Sequence, residues 1–197
     1  MEWGGAAWTR SSHGLGRGCF DPANVAAPEG GVRLVLPAGR CDGAEIASAD
    51  PYSSGLIRAR LRVADAPGSL TAFFLYEGVP GERNDEVDVE IFGDGSRRAL
   101  FSTWKDGAQT HLAERTLPFD PRLAVHEYAI ALRPGEVRFS VDGVEMTRWR
   151  DGLPTRAMRV LASAWWPAWL EGAPPEEDRF ALIESIGHTP LDDFGFG

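Results

Sequence analysis

Short runs in which apolar residues alternate with polar ones recur along this chain of 197 residues, separated by Gly, Pro and Asp. A period of two marks a half-buried β-strand, because successive side chains of a strand point to opposite faces. In residues 57–63, Ile57, Ala59, Leu61 and Val63 are set against Arg58, Arg60 and Arg62. The arginines read as a solvated outer face. Further strand-like runs cover 32–36, 70–76, 86–92, 99–104, 126–132, 137–141, 158–165 and 180–186. Arg133-Pro134-Gly135-Glu136 and Val141-Asp142-Gly143-Val144 carry hairpin-turn chemistry. No long amphipathic helix, internal repeat or linker intervenes. Many short strands joined by tight turns predict an all-β, two-sheet antiparallel sandwich forming a single domain.

One strand stands apart in composition. In Glu86-Val87-Asp88-Val89-Glu90-Ile91 the apolar residues share one face and Glu86, Asp88 and Glu90 share the other. Neighbouring carboxylates repel, and the repulsion drives their pKa values apart, which is how acid and base roles are divided between like groups. On spacing alone, a solvated acidic edge strand is the commoner meaning of such a pattern. The outer glutamates have Cα atoms about 13 Å apart by strand rise. Long glutamate side chains leaning together close most of that gap, where aspartates would fall short.

The formal charge of −9 and a pI near 4.9 argue against nucleic acid or an anionic membrane as partner. The chain has no run of 18 apolar residues that would span a bilayer. Met1-Glu2-Trp3-Gly4-Gly5 has neither the basic nor the apolar region of a signal peptide, so two readings stand: a cytoplasmic protein, or one whose leader has been removed. Cys19 and Cys41 read either as one disulfide or as two unrelated thiols. His111, His126 and His188 lack metal-ligand spacing and read as structural. Trp165, Trp166 and Trp169 cluster, as binding wall or as core.

The segment Asp85 to Glu90 resembles the active-site signature of glycoside hydrolase family 16. Tyr52-Ser53-Ser54-Gly55-Leu56-Ile57, the run SLTAFFLYEG at 69–78, His126-Glu127-Tyr128-Ala129-Ile130 and the run VRFSVDGV at 137–144 resemble other family segments in the same order. The resemblance covers roughly residues 3–187 and leaves 188–197 as a C-terminal tail. One residue separates Asp88 from Glu90, as in lichenases, plant xyloglucan transferases and fungal wall transglycosylases. Bacterial lichenases look most similar. The resemblance implies a β-jelly roll of two curved antiparallel sheets whose concave face forms a carbohydrate-binding cleft.

It further implies a retaining endo-β-glucanase acting on β-1,3-1,4-glucan or a related β-linked polysaccharide. Glu86 would be nucleophile and Glu90 the acid/base, with Asp88 tuning the pair. Such enzymes need two carboxyl groups about 5–5.5 Å apart. Glu45, Phe74, Tyr76, Asn84, Ser102, Trp104, Ser163, Trp165 and His13 are the implied substrate-binding positions. Several depart from the lichenase pattern: Asn84 replaces a usual Trp, Ala47 an Arg, and Ser102 and Ser163 two Asn. These changes alter the binding shell while leaving the three acidic residues in place. The resemblance also implies a Cys19–Cys41 disulfide, worth about 3 kcal/mol in the chain-entropy model. A structural calcium on the convex side would involve Gly31 and Glu184; catalysis would need no cofactor. The expected protein is a secreted monomer with a polysaccharide substrate. The alternatives are a transglycosylase or hydrolase on xyloglucan or β-1,3-glucan, and a non-catalytic carbohydrate-binding module.

Overall fold

The computed structural model describes residues 1–78 and 83–191; residues 192–197 of the expected tail lie outside the described residues. Two antiparallel sheets carry the fold. The first, of eight strands, runs edge to edge through Glu2–Trp3, Ala6–Arg10, Ala44–Tyr52, Met158–Trp165, Leu70–Gly78, Asn84–Phe92, Arg98–Lys105 and Ala108–Thr116. The second, of seven, runs through Val144–Trp149, Glu136–Val141, His126–Arg133, Gly55–Arg62, Arg179–Thr189, Val32–Leu36 and Val25–Ala26. A small hairpin, His13–Leu15 with Gly18–Phe20, stands beside the first sheet and joins it by a bridge from Phe20 to Gly43.

Strand phase decides what lies between the sheets. Val87, Val89 and Ile91 face inward with Phe73, Leu75 and Phe101, and meet Ile57, Leu61, Ile130 and Phe139 of the second sheet. Phe101 and Phe139 pack edge to face at 5.4 Å. Each large side chain buried this way contributes about 1.5–3 kcal/mol. The opposite phase of the first sheet points outward, and there the three carboxylates stand. On the second sheet the expected arginine face is outward too: Arg58 and Arg60 are exposed, with Arg60 paired to Glu184 at 2.6 Å.

Among strands of six residues or more, three escaped the sequence pattern. Ala108–Thr116 is an edge strand whose residues are mostly exposed, so no apolar alternation marks it. Val144–Trp149 is likewise a largely exposed edge. Ala44–Tyr52 begins with five consecutive buried residues and carries Pro51, two features that hide a period of two.

The disulfide is corrected. Cys19 and Cys41 are both free thiols. The exposed Cys19 thiol donates to Asp42 Oδ1 at 3.2 Å, and that hydrogen bond raises its pKa. Cys41 packs instead against the hydrophobic core. The two sulfurs therefore serve different environments.

The calcium expectation finds no support in its donors. Gly31 does lie against the backbone of Ile183 and Glu184. The Glu184 carboxylate, however, accepts from Arg60 Nε, and a guanidinium so placed repels a divalent cation. No group of three or more His, Cys, Asp or Glu able to hold a metal occurs among the described residues. Removing divalent ions with EDTA is expected to leave the melting temperature within about 1 °C of its value in calcium, because the Glu184 carboxylate is already paired with Arg60. A drop of several degrees on chelation, reversed by calcium, would contradict this.

Candidate active site

The outer face of the eight-stranded sheet holds an open cleft of about 790 Å³. Register places its floor row by row. Glu86 sits opposite Tyr76 on one side and Trp104 on the other. Asp88 sits between Phe74 and Ser102, and Glu90 between Ala72 and Leu100. The Glu90 row continues through Ser163 to Glu45, because Ala72 pairs with Ser163 and Ser163 with Glu45. Four adjacent strands thus bring Glu45, Ser163 and Glu90 to one line across the cleft. His13 and Trp165 complete the set, so every candidate binding residue expected from the sequence lines this cleft.

The origin of the acidic strand is pinned by Asp85. Its buried carboxylate accepts backbone N–H groups from Asp106, Thr155 and Arg156 at 2.9–3.0 Å. Burial works to raise its pKa, but the three donors outweigh it and lower the value. The next outward residue, Glu86, then enters the cleft from a strand end that three hydrogen bonds hold in place.

The carboxyl groups on the floor are held in distinct ways. Ser102 Oγ donates to Asp88 Oδ2. Asp88 is buried, and burial first, then the charges of Glu86 and Glu90, raise its pKa well above the carboxylate range. Its interaction with Glu86 favours the ionised form of Glu86 and the protonated form of Asp88, lowering the one pKa and raising the other. Asn84 Nδ2 donates to Glu86 Oε2 at 2.8 Å, a second bond favouring the ionised form. Glu90 has no such relief: burial and the Glu86 charge both raise its pKa. Both glutamates stand at about 7, raised chiefly by burial. Their environments differ in sign all the same, since hydrogen bonds stabilise charge on Glu86 and the Glu86 charge stabilises the proton on Glu90.

This arrangement costs stability at high pH. A folded-state pKa near 7 against an ordinary 4.5 means that the folded chain holds protons which the unfolded chain releases. The protein is then most stable below about pH 4.5 with respect to these groups, and loses stability as pH rises to about 7. Glu90→Gln removes one contribution. It is expected to stabilise at pH 8 by on the order of 2 kcal/mol and to leave stability at pH 4.5 nearly unchanged. Urea midpoints at the two pH values check this; equal shifts at both would contradict it.

At the far side, Glu45 is buried and its pKa is raised by that burial. Ser11 Oγ donates to its Oε1 at 2.6 Å, and His13 Nε2 lies 3.5 Å from the same oxygen. Ser11 carries no sequence signal of this role. Leu100 and Leu161 also line the cleft, and the shared strand faces Leu100/Ser102/Trp104 and Leu161/Ser163/Trp165 carry that information. Leu15, Gln109 and Leu112 come from the small hairpin and the edge strand, where the pattern is silent. The tryptophan cluster divides: Trp166 is 1% exposed and belongs to the core, whereas Trp169 is 59% exposed on the cleft lip.

A row of coupled carboxyl groups on an open groove suits attack on a bond within a neutral polymer. Known proteins bear on it. The family model of glycosyl hydrolases family 16 matches residues 19–178. A beta-glucanase of Bacillus subtilis (strain 168) is 31% identical over 140 residues, which is 69% of this chain and 58% of that protein. The chain thus spans under two thirds of the length of this curated relative. Two solved structures share the β-jelly-roll architecture. One is a prokaryotic beta-1,3-1,4-glucanase (lichenase) derived from a mouse hindgut metagenome, with TM-score 0.86, 23% identity and 96% of each chain covered. The other is the Bacillus licheniformis beta-glucanase, with TM-score 0.86, 23% identity, and 95% of this chain and 94% of that one covered. With the family match spanning most of its length and the candidate carboxylates standing together in the cleft, the chain belongs to glycosyl hydrolases family 16.

Proposed function

We propose that the protein is an endo-β-glucanase that cleaves β-1,3-1,4-glucan or a related β-linked polysaccharide with retention. One observation carries this reading: Glu86 and Glu90 face the same open cleft from one strand, with the buried Asp88 between them. In the first step the Glu86 carboxylate attacks the anomeric carbon while Glu90 gives its proton to the departing glycosidic oxygen. The C–O bond breaks and a glycosyl ester forms on Glu86. Glu90, now ionised, takes a proton from water, which attacks the same carbon and releases Glu86. Asp88 and Asn84 hold Glu86 ionised for the attack.

Aromatic faces suit the C–H faces of sugars, and Phe74, Tyr76, Trp104, Trp165 and Trp169 offer them along the cleft. An open cleft accepts a chain at an internal bond, which supports endo action. The names of the relatives support a glucan substrate. A polymer that cannot cross a membrane requires an extracellular site of action, and one chain supplies all the cleft residues, so a monomer suffices. Reducing-sugar release from barley β-glucan, lichenan, laminarin and xyloglucan tests the substrate. Turnover is expected on the mixed-linkage glucans; failure on all four would overturn the proposal.

A further inference from the structure

Arg17 is partly buried beside the cleft, donates only to carbonyls and has no carboxylate partner among the described residues. Its Nη1 donates to Gly172 O at 2.5 Å and its Nη2 to Gly68 O at 3.0 Å. Its backbone N–H donates to Trp166 O at 2.8 Å, and its guanidinium lies 5.3 Å from the centre of the Trp166 ring. One side chain and its own amide therefore grip both ends of the segment 166–172.

Trp166 anchors one end in the core, but beyond it the segment makes few hydrogen bonds of its own among the described residues. Within it, Leu170 N–H donates to Pro167 O at a long 3.3 Å. Its far end packs glycine on glycine: a Cβ on Gly172 would fall 2.4 Å from Pro67 O and 2.6 Å from the Gly68 Cα. At the middle of the segment stands Trp169, more than half exposed, with its ring edge-on to Phe92 at 6.2 Å. Phe92 is two residues beyond Glu90 on the same strand and shares its phase. The segment thus hangs an aromatic face over the Glu90 end of the cleft.

We propose that Arg17 is a positioning residue that fixes the 166–172 segment, so that Trp169 stays on the lip as a wall for long glycan chains. This rests on the glucanase reading for its kinetic consequence, but not for the mechanical one. A residue that merely stabilises the fold would lower melting temperature without touching substrate affinity selectively.

The test compares wild type with Arg17→Met, Arg17→Lys, Trp169→Ala and the Arg17→Met/Trp169→Ala double variant. Hydrogen exchange read by mass spectrometry is expected to speed up in 166–172 of Arg17→Met by roughly tenfold or more, for two lost hydrogen bonds. Arg17→Lys, which keeps one donor group, should fall between. On barley β-glucan, KM should rise roughly threefold to tenfold in Arg17→Met with kcat within about twofold, on the scale of one aromatic contact. The double variant should be no worse in KM than Trp169→Ala alone. Val137→Ala, in the core of the other sheet, should lose stability with KM unchanged. Unchanged exchange in 166–172 overturns the strut, and so do additive KM effects. If Arg17→Met does not fold, Arg17→Lys carries the same comparison. Absence of wild-type turnover on any glucan would reject the glucanase reading, while the exchange measurement still decides the role of Arg17.

Discussion

Glu86→Gln lowers kcat on β-glucan by roughly 10⁴-fold or more, the scale of losing a group that acts within a catalytic unit. The substitution keeps the shape of the side chain and its place between Asn84 and Asp88. It removes the charge that attacks carbon. The fold should survive, because Glu86 faces the cleft and contributes nothing to the core. KM should change little by comparison. A variant retaining more than a tenth of wild-type kcat would assign the nucleophile elsewhere.

Glu90→Gln has the second largest effect, and its signature is selectivity. Loss of a general acid costs about 10²–10⁴-fold. That cost falls on substrates whose leaving group needs a proton. A natural glucan, which expels a sugar alkoxide, should show the full loss. A dinitrophenyl glycoside of the same glycone, whose phenolate leaves unaided, should show little loss in the first step. The alkaline fall of the pH–rate profile should vanish as well, since it reports the loss of the Glu90 proton. Equal losses on both substrates would remove Glu90 from the acid role.

The sequence was most readable where one residue per strand pair obeyed one rule. Strands such as Met158–Trp165 and Asn84–Phe92 show period two because one face meets a core and the other a cleft. The same phase put Ser102 and Trp104 in the cleft, and Ser163 and Trp165 with them. Edge strands were opaque, since a strand such as Ala108–Thr116 buries almost nothing and hydrogen bonds alone define it. The cleft residues on that strand, Gln109 and Leu112, were lost with it. Asn84 illustrates a different limit. Its departure from the family's usual tryptophan was visible, but its hydrogen bond to Glu86 depends on a rotamer that spacing does not encode. Cys19 and Cys41 show why two thiols close in sequence do not define a bridge: one side chain turns to Asp42 and the other to the core.

Polarity within the acidic strand came from the surroundings of each carboxyl group. Glu86 and Glu90 are the same residue type with the same ordinary pKa, and only neighbours distinguish them. Hydrogen bonds from Asn84 and Asp88 favour charge on Glu86, while burial and that charge favour the proton on Glu90. Two environments on one strand thus set opposite preferences for charge on two identical side chains.

Proton NMR of the first product formed from a β-1,3-1,4-gluco-oligosaccharide reads that claim directly. Both glutamates acting on one bond, with Glu86 attacking carbon, predict that the β-anomer appears first and the α-anomer only later by mutarotation. Initial appearance of the α-anomer would mean direct attack by water, and would contradict a covalent role for Glu86.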